Sequence, residues 1–181
     1  MEIAIRNITR DNLGDIPGPC KKCLYWEFPE DLEKLRQQED SGSAEAKKRA
    51  WFVKTLRTFG DCGKIVYQDK TPIGYAQYAP FTSLPQARNY KSLQLEQLEA
   101  GAVFISCLYI TEETQRGTGV GTRLLQSVLS NLRRRGFQVV ETFARRGSAN
   151  NPSGPIELYL KHGFRIEDET DPEFPLVTLE L

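Results

Sequence analysis

One stretch of the chain constrains its fold more than any other: an apolar run, a glycine-rich turn and an amphipathic segment follow one another. Residues 102–110 are almost all apolar or small, which is typical of a central strand covered on both faces. The turn at 116–121 reads Arg-Gly-Thr-Gly-Val-Gly. The apolar residues that follow share one helical stripe, which ends at Gly136: Val120, Leu124, Leu125, Val128 and Leu132.

This succession predicts a site for an anion at the turn. The start of a helix presents unpaired backbone N–H groups and the positive end of the helix dipole. Glycine lacks a Cβ, so the backbone can approach phosphate oxygens closely. Arg116 adds a positive charge just before the glycines.

Two nucleotide-binding loops compete as interpretations of the turn. A Walker A loop needs Lys-Ser or Lys-Thr after its last glycine, but residues 122–123 are Thr-Arg, so that interpretation fails. A Rossmann dinucleotide loop remains an alternative, because Gly117 and Gly119 open a helix and Glu141 lies 20 residues past the last glycine. Against it, the third glycine would fall at Thr122, and six residues separate the apolar run from Gly117.

Hydrophobic periodicity predicts further elements on both sides of this stretch. The predicted strands, including a hairpin joined by residues 68–72, lie at 1–8, 64–67, 73–78, 102–110, 137–144, 164–166 and 176–179. The predicted helices are two over 30–58 with a mobile joint at Ser41-Gly42-Ser43, one after Gly121, and a short one over 156–160. Residues 79–99 have no clear period and are predicted to form an extended loop.

Two motifs in this order resemble the GNAT superfamily of N-acetyltransferases. Residues 116–121 fit the family hallmark Gln/Arg-x-x-Gly-x-Gly/Ala. Residues 157–164, Glu-Leu-Tyr-Leu-Lys-His-Gly-Phe, resemble its closing motif of a short helix, a tyrosine and Gly-Phe. The resemblance is specific over about 102–166. It implies an α/β (α+β) fold in a single domain over 1–181, with a mixed central sheet of about six to seven strands, splayed between strands 4 and 5 and flanked by about four helices.

The resemblance also implies a function and a set of cofactor contacts. The expected activity is direct acetyl transfer from acetyl-CoA to a primary amine of a small molecule or peptide. The implied contacts are Leu108, Tyr109, Ile110, Arg116, Gly117, Thr118, Gly119, Val120, Gly121 and Thr122. The backbone of 108–110 would pair with the pantetheine arm and polarise the thioester carbonyl. An asparagine that often touches the cofactor is assigned to Asn151, with Asn150 as the alternative.

The catalytic residues are less clearly marked. Tyr159 matches the family's general acid, while its alternative role is that of a core tyrosine. Many members place a glutamate base on the fourth strand, but residues 103–109 contain no carboxylate. Glu141 is the substitute, because a carboxylate in an apolar strand should have a raised pKa; pairing with Arg145 is its structural alternative. The absent carboxylate also leaves open a catalytically silent acyl-CoA-binding module.

The segment from Cys20 to Cys23 is unusual for this superfamily. A CxxC pair flanked by Lys21 and Lys22 can bind metal or cycle as a disulfide, or its thiols can simply pack. One pair supplies only two of the four ligands of zinc, with Cys62 a distant third, so no metal site is predicted. The aromatic residues expected to line an acceptor pocket, or else to lie scattered on the surface, are Tyr25, Trp26, Tyr78, Phe81 and Tyr90.

Composition limits the partners. The 24 basic and 24 acidic residues balance, which argues against nucleic acid or an anionic membrane as a partner. No run of 18 apolar residues occurs, and the N-terminal stretch lacks the apolar core of a secretory signal. We therefore expect a cytoplasmic protein with reduced thiols, and edge strands of this fold allow a homodimer.

Overall fold

The structure, a computed structural model, describes residues 2–32, 41–90, 101–148 and 150–181. In these residues seven strands form one mixed sheet in the order β1-β2-β3-β4-β5-β7-β6. The strands are β1 Ile3–Asn7, β2 Gly63–Gln68, β3 Thr71–Pro80, β4 Val103–Ile110, β5 Val139–Phe143, β6 Arg165–Asp168 and β7 Leu176–Glu180. The α-helices are α1 Gly18–Lys21, α2 Ser41–Thr58, α3 Val120–Arg134 and α4 Ile156–Lys161.

The predicted hairpin is confirmed as β2 and β3, whose end residues Gln68 and Thr71 pair. The two residues between them, Asp69 and Lys70, have φ values of 46° and 76°. Left-handed backbone at both turn positions matches the right-handed twist of the strands, which is why short hairpins favour it. The hairpin therefore closes through a two-residue turn.

The sheet opens between β4 and β5, as expected. These two strands run parallel, and their ladder contains only the pairs Val103↔Val140 and Phe104↔Glu141. Further along, the Leu108 N–H donates to the carbonyl of Pro152 at 2.7 Å, so the segment after β5 lies where a strand neighbour would be. The opening therefore faces the C-terminal half of β4.

A bulge in β4 lies just before this opening. Gln77 pairs with Cys107, but the next residue of β3, Tyr78, pairs with Ile105, so Ser106 is the extra residue. Its hydroxyl donates to the Gln77 carbonyl at 3.2 Å. A bulge bends its strand and increases the local twist, which helps β4 to separate from β5.

Two hydrophobic cores lie on opposite faces of the sheet. The α3 stripe packs on one face, where Leu124, Leu125 and Val128 are fully buried. The α2 face is covered by a second core rich in aromatic rings. Within the described ranges, no helix is long and apolar enough to cross a membrane.

Two expectations for the connecting segments differ from the structure. Residues 41–43 begin α2 instead of forming a joint, because Ser and Gly are well tolerated where the first N–H groups need no helical partner. The expected first helix falls partly on residues 33–40, which lie outside the described residues. The expected loop over 79–99 contains short 3₁₀ turns at Phe81–Ser83 and Pro85–Asn89, and residues 91–99 also lie outside the described part.

Candidate active site

A cavity of about 340 Å³ lies between the end of β4, the glycine turn and α4. Eight of its lining residues were predicted as cofactor contacts: Leu108, Tyr109, Ile110, Arg116, Gly117, Gly119, Gly121 and Thr122. Three more come from α4 and the residue before it: Pro155, Leu158 and Lys161. The sequence reasoning missed these three, although Leu158 and Lys161 stand one helical turn apart in the closing motif.

The glycine turn presents its backbone to open space. Gly117 and Gly119 have φ values of 76° and 90°, in the left-handed region that favours glycine. A Cβ built on either would meet nothing within 4 Å, so the space before the backbone is free. Val120 lies just beyond, and its side chain is buried in the core. Only its backbone can therefore face a ligand.

The side chains of Thr118 and Arg116 form hydrogen bonds with nearby residues of the turn and of β4. The Thr118 hydroxyl donates to the Gln115 carbonyl at 2.7 Å. The Arg116 Nε donates to the Ile110 carbonyl at 3.0 Å, and its Nη2 donates to the Tyr109 hydroxyl at 3.0 Å. The guanidinium is thus a positive charge held against the end of β4, on the wall of the cavity.

The two neighbouring asparagines have different contacts. The Tyr109 hydroxyl donates to Asn150 Oδ1 at 2.8 Å, so Asn150 touches a residue of the cavity wall. Asn151 Oδ1 instead accepts from the Ser153 N–H at 2.9 Å and shapes the next turn. Asn151 as a cofactor contact stays a prediction, and the structure favours Asn150 for contact with the lining.

Tyr159 faces the core and not the cavity. It is 0% exposed, and its hydroxyl donates to the Ser153 carbonyl at 2.8 Å. Burial raises the pKa of this phenol. Gly154 passes so close that a Cβ there would lie 2.9 Å from the Tyr159 hydroxyl. The phenol therefore supports the 153–154 turn, and proton delivery to the cavity requires that its hydrogen bond break.

Glu141 has the expected titration but lies at the start of the opening, away from the end of β4. Burial, with a smaller contribution from Glu167, raises its pKa to about 7. Its partner on β4 is Phe104, four residues before Leu108. At about 3.3 Å per residue this is about 13 Å along the strand. The structure does not bring Glu141 to the end of β4. The alternative pairing is also not formed: Arg145 instead makes an ion pair with Glu173, with Nη1 3.1 Å from Oε1.

A buried ionic network, which the sequence reasoning missed, lies beneath the middle of β3 and β4. Lys48 and Gln77 both donate to Glu27 Oε1, and Tyr75 donates to the Gln77 amide oxygen. Burial is the largest single influence and would lower the pKa of Lys48, but the Glu27 carboxylate, with smaller contributions from Cys107 and Cys23, raises it overall. Gln77 pairs with Cys107, so the network lies one residue before the opening. The sequence signal that could have revealed it is Glu27, a carboxylate flanked by the aromatic residues Trp26 and Phe28.

Four of the five predicted acceptor aromatics meet in one packed cluster on the α2 face. Tyr90 stacks on Trp26 with ring centroids 5.3 Å apart and planes at 10°. The Tyr25 hydroxyl lies 3.0 Å from that of Tyr90. Phe81 is buried in the same core, whereas Tyr78 belongs to the core on the other face. The cluster can form the wall of an acceptor site, with only Tyr25 and Tyr90 partly exposed.

The four cysteines are free thiols, and Cys23 alone is half-buried while the other three are buried. Burial raises the pKa of Cys20 and of Cys62 to about 12. Among the described residues, no group of three or more His, Cys, Asp or Glu side chains could hold a metal ion.

These features define a class of α/β protein in which a sheet opens between two parallel strands and a glycine-rich helix start faces the opening. Among the described strands every other pair is antiparallel, which excludes the doubly wound parallel sheet of the dinucleotide-binding fold. A family model described as "Acetyltransferase (GNAT) family" matches residues 22–164. Because this match covers most of the 181 residues, the chain belongs to this family.

Several solved structures with similar folds are acetyltransferases. The PaiA N-acetyltransferase from Thermoplasma acidophilum, in complex with coenzyme A, aligns over 100% of both chains at 16% identity with a TM-score of 0.64. A GNAT family acetyltransferase from Brucella melitensis, in complex with acetyl-CoA, aligns over 99% of this chain and 88% of that one at 14% identity and a TM-score of 0.56.

A third similar structure is the ribosomal-protein-alanine N-acetyltransferase from Brucella melitensis. It aligns over 98% of this chain and 99% of that chain, at 20% identity and a TM-score of 0.58. No curated protein gives a significant match. At these identities the similarity shows the fold alone. Any assignment of substrate must be argued from the residues of this chain.

Proposed function

We propose that this protein is an acetyl-CoA-dependent N-acetyltransferase that moves the acetyl group directly to a primary amine of a small molecule or peptide. The observation that carries the proposal is the cavity at the split of β4 and β5, with the glycine turn on its wall. Membership of the acetyltransferase family and two similar structures that hold coenzyme A or acetyl-CoA support it.

The residues of the cavity suit a long anionic ligand. The unpaired N–H groups at the start of α3 can bind the pyrophosphate, since the left-handed glycines leave the space before them open. Arg116 and Lys161 both line the cavity and give it two cations. A nucleotide-bearing polyanion is therefore complementary to this cavity in charge.

The exposed backbone of β4 can orient the thioester. The Leu108 N–H already donates to Pro152, so a ligand must displace that carbonyl to use it. Thr111 N–H donates to Ile73 on β3, and the preceding Ile110 N–H therefore points the other way, into the opening. We assign Ile110 N–H as the first donor to the thioester carbonyl, where negative charge develops during attack.

Tyr159 is proposed as the acid that protonates the leaving thiolate. If this role is correct, Tyr159→Phe lowers kcat by about 100- to 10,000-fold. Tyr78→Phe is the matched control, because Tyr78 is equally buried and its hydroxyl also donates one hydrogen bond, to Asp61 at 2.9 Å. A Tyr159→Phe enzyme as active as the control would assign Tyr159 to supporting the 153–154 turn.

The acceptor would enter on the α2 face, beside Tyr25 and Tyr90. Aromatic rings attract the cationic form of an amine. We further propose a cytoplasmic location, which the free thiols suit, and association through the edge strands as a homodimer. Light scattering of the purified chain tests the dimer.

A screen of amines against acetyl-CoA, read by thiol release, tests the activity. The proposal predicts release that depends on the amine and an acetylated product in the mass spectrum. The second candidate is a silent acyl-CoA-binding module, favoured by the distance of Glu141 from the end of β4. Binding of acetyl-CoA without release for any small amine or peptide would support the module and overturn the enzyme.

A further inference from the structure

The Cys20-Lys21-Lys22-Cys23 segment takes no part in the proposed transfer, yet its geometry brings two thiols together. Cys20 lies in α1, and Lys22 keeps a right-handed helical backbone with φ −106° and ψ −3°. The Cys23 N–H donates to the Cys20 carbonyl at 3.2 Å. The two cysteines therefore stand three residues apart on one helical turn, where Cβ atoms are about 5–6 Å apart.

This spacing decides which kind of disulfide could form. A disulfide needs Cβ atoms about 3.5–4.5 Å apart, so the pair must close by about 1–2 Å. The closure falls on a helix of only four residues, which begins after Pro17 and contains Pro19. A bridge closed in this way is strained, and strained disulfides are the readily reduced ones. The geometry suits reversible oxidation and not a permanent bridge.

The two thiols differ in access and share a positive neighbour. Cys23 is half-buried, whereas Cys20 is 7% exposed and belongs to the α2-face core. Burial raises the pKa of the Cys20 thiol to about 12, while the buried Lys48 ammonium acts in the opposite direction. An external reagent therefore meets Cys23 first, and Cys20 can react only with a sulfur already attached there.

We propose that Cys20 and Cys23 form a redox-active dithiol that reacts with low-molecular-weight disulfides of the glutathione class. The Cys23 thiolate attacks one sulfur of the external disulfide, forming a mixed disulfide and releasing one thiol. The Cys20 thiolate then attacks Cys23 Sγ, forming the Cys20–Cys23 disulfide and releasing the second thiol. The two protons lost by the cysteines are balanced by those on the released thiols, and the external disulfide is reduced by two electrons.

Oxidation of the two cysteines would shift the aromatic residues proposed to line the acceptor site. Cys23 lies two residues before Tyr25, in the segment that supplies Tyr25 and Trp26 to the aromatic cluster and Glu27 to the buried network. Closing the turn by about 1–2 Å moves the start of this segment. The dithiol itself, however, does not depend on acetyl transfer, and its chemistry is tested without any acyl donor.

The test uses the reduced full-length protein and oxidised glutathione, followed by alkylation, intact mass and peptide mapping. The wild type should lose two of its four alkylatable thiols and two hydrogen atoms, with Cys20 joined to Cys23. Cys20→Ala should stop at a stable adduct of one glutathione on Cys23. Cys23→Ala should form neither product. Cys62→Ala, which removes another buried thiol, should behave as the wild type.

Several results would overturn the inference. These are a wild type that does not react, one that keeps a stable glutathione adduct on Cys23, or a bridge from Cys23 to Cys107. A measurement without variants guards against misfolding of Cys20→Ala. One equivalent of phenylarsine oxide, which binds two neighbouring thiols, should protect both Cys20 and Cys23 from alkylation in the wild type. Protection of neither would also contradict the dithiol.

Discussion

At the residue scale, Lys47 and Lys48 are adjacent on α2, but their ion pairs lie in different environments. Lys47 reaches Asp31 at 2.6 Å with 40% of its side chain exposed, whereas Lys48 and its partner Glu27 are buried. Removing Lys48 leaves Glu27 as an uncompensated buried charge. We expect Lys48→Met to cost about 3–5 kcal/mol and Lys47→Met less than about 1 kcal/mol in urea unfolding. Equal losses would contradict the buried network.

The contact between Gly154 and Tyr159 gives a second prediction at this scale. Gly154 and Gly147 have φ values of 77° and 79°, so an alanine carries similar backbone strain at both. Only at Gly154 does the new Cβ meet the phenol, at 2.9 Å. Gly154→Ala should therefore lose about 1–3 kcal/mol more stability than Gly147→Ala. The difference between their unfolding midpoints measures the clash, and identical midpoints would show that the turn relaxes freely.

Glu141 gives a prediction about pH. Its pKa is raised to about 7 in the folded protein, mainly by burial. The folded state thus holds the proton more tightly, and this contribution to stability is complete below the unfolded value near 4.5 and lost as pH rises through about 7. Relative to wild type, Glu141→Gln should gain stability at pH 8 and not at pH 4. The exposed Glu157→Gln is the control, and a Glu141→Gln gain independent of pH would refute the assignment.

At the element scale, alanine substitutions at the two ends of α3 distinguish an effect on coenzyme A binding from an effect on stability. Gly119 at its start and Gly136 after its end have φ values of 90° and 81°, and a Cβ added at either would meet nothing within 4 Å. Alanine should therefore strain both positions similarly, by about 1 kcal/mol. Only Gly119→Ala should weaken coenzyme A binding, because only its Cβ enters the space before the turn. Equal affinities in calorimetry would place the pyrophosphate elsewhere.

Local elements were predictable from sequence because their signals are local. The β2–β3 hairpin, the α3 stripe and the α4 motif each follow from residues within one element. Eight cavity residues followed from the resemblance to the GNAT superfamily, whose motif lies just after β4 in the sequence. Thr118, Val120 and Asn151 are absent from the lining, since their side chains bond locally or enter the core.

Long-range features were not predictable in this way. Lys48 and Glu27 are 21 residues apart and meet only when α2 packs on the sheet. Pro152 bonds to Leu108 because the segment after β5 returns to the opening. The bulge at Ser106 depends on the register of β3 and β4. The position of Glu141 opposite Phe104, away from the end of β4, likewise follows from strand register, which composition does not encode.

At the scale of the whole molecule, the central claim is that the split sheet forms a coenzyme A site. The left-handed glycines and the two cations all line this one cavity. The sheet order excludes the dinucleotide-binding fold, so NAD should have no comparable effect. Selectivity between these two ligands therefore tests the architecture and the site together.

Calorimetric titration of acetyl-CoA into the wild-type protein tests this claim most directly, with NAD as the comparison. We predict one site per chain with a dissociation constant between about 1 µM and 1 mM, the range of ordinary enzyme substrates, and no binding of NAD. The absence of acetyl-CoA binding at millimolar concentration, or equal binding of NAD, would contradict the account.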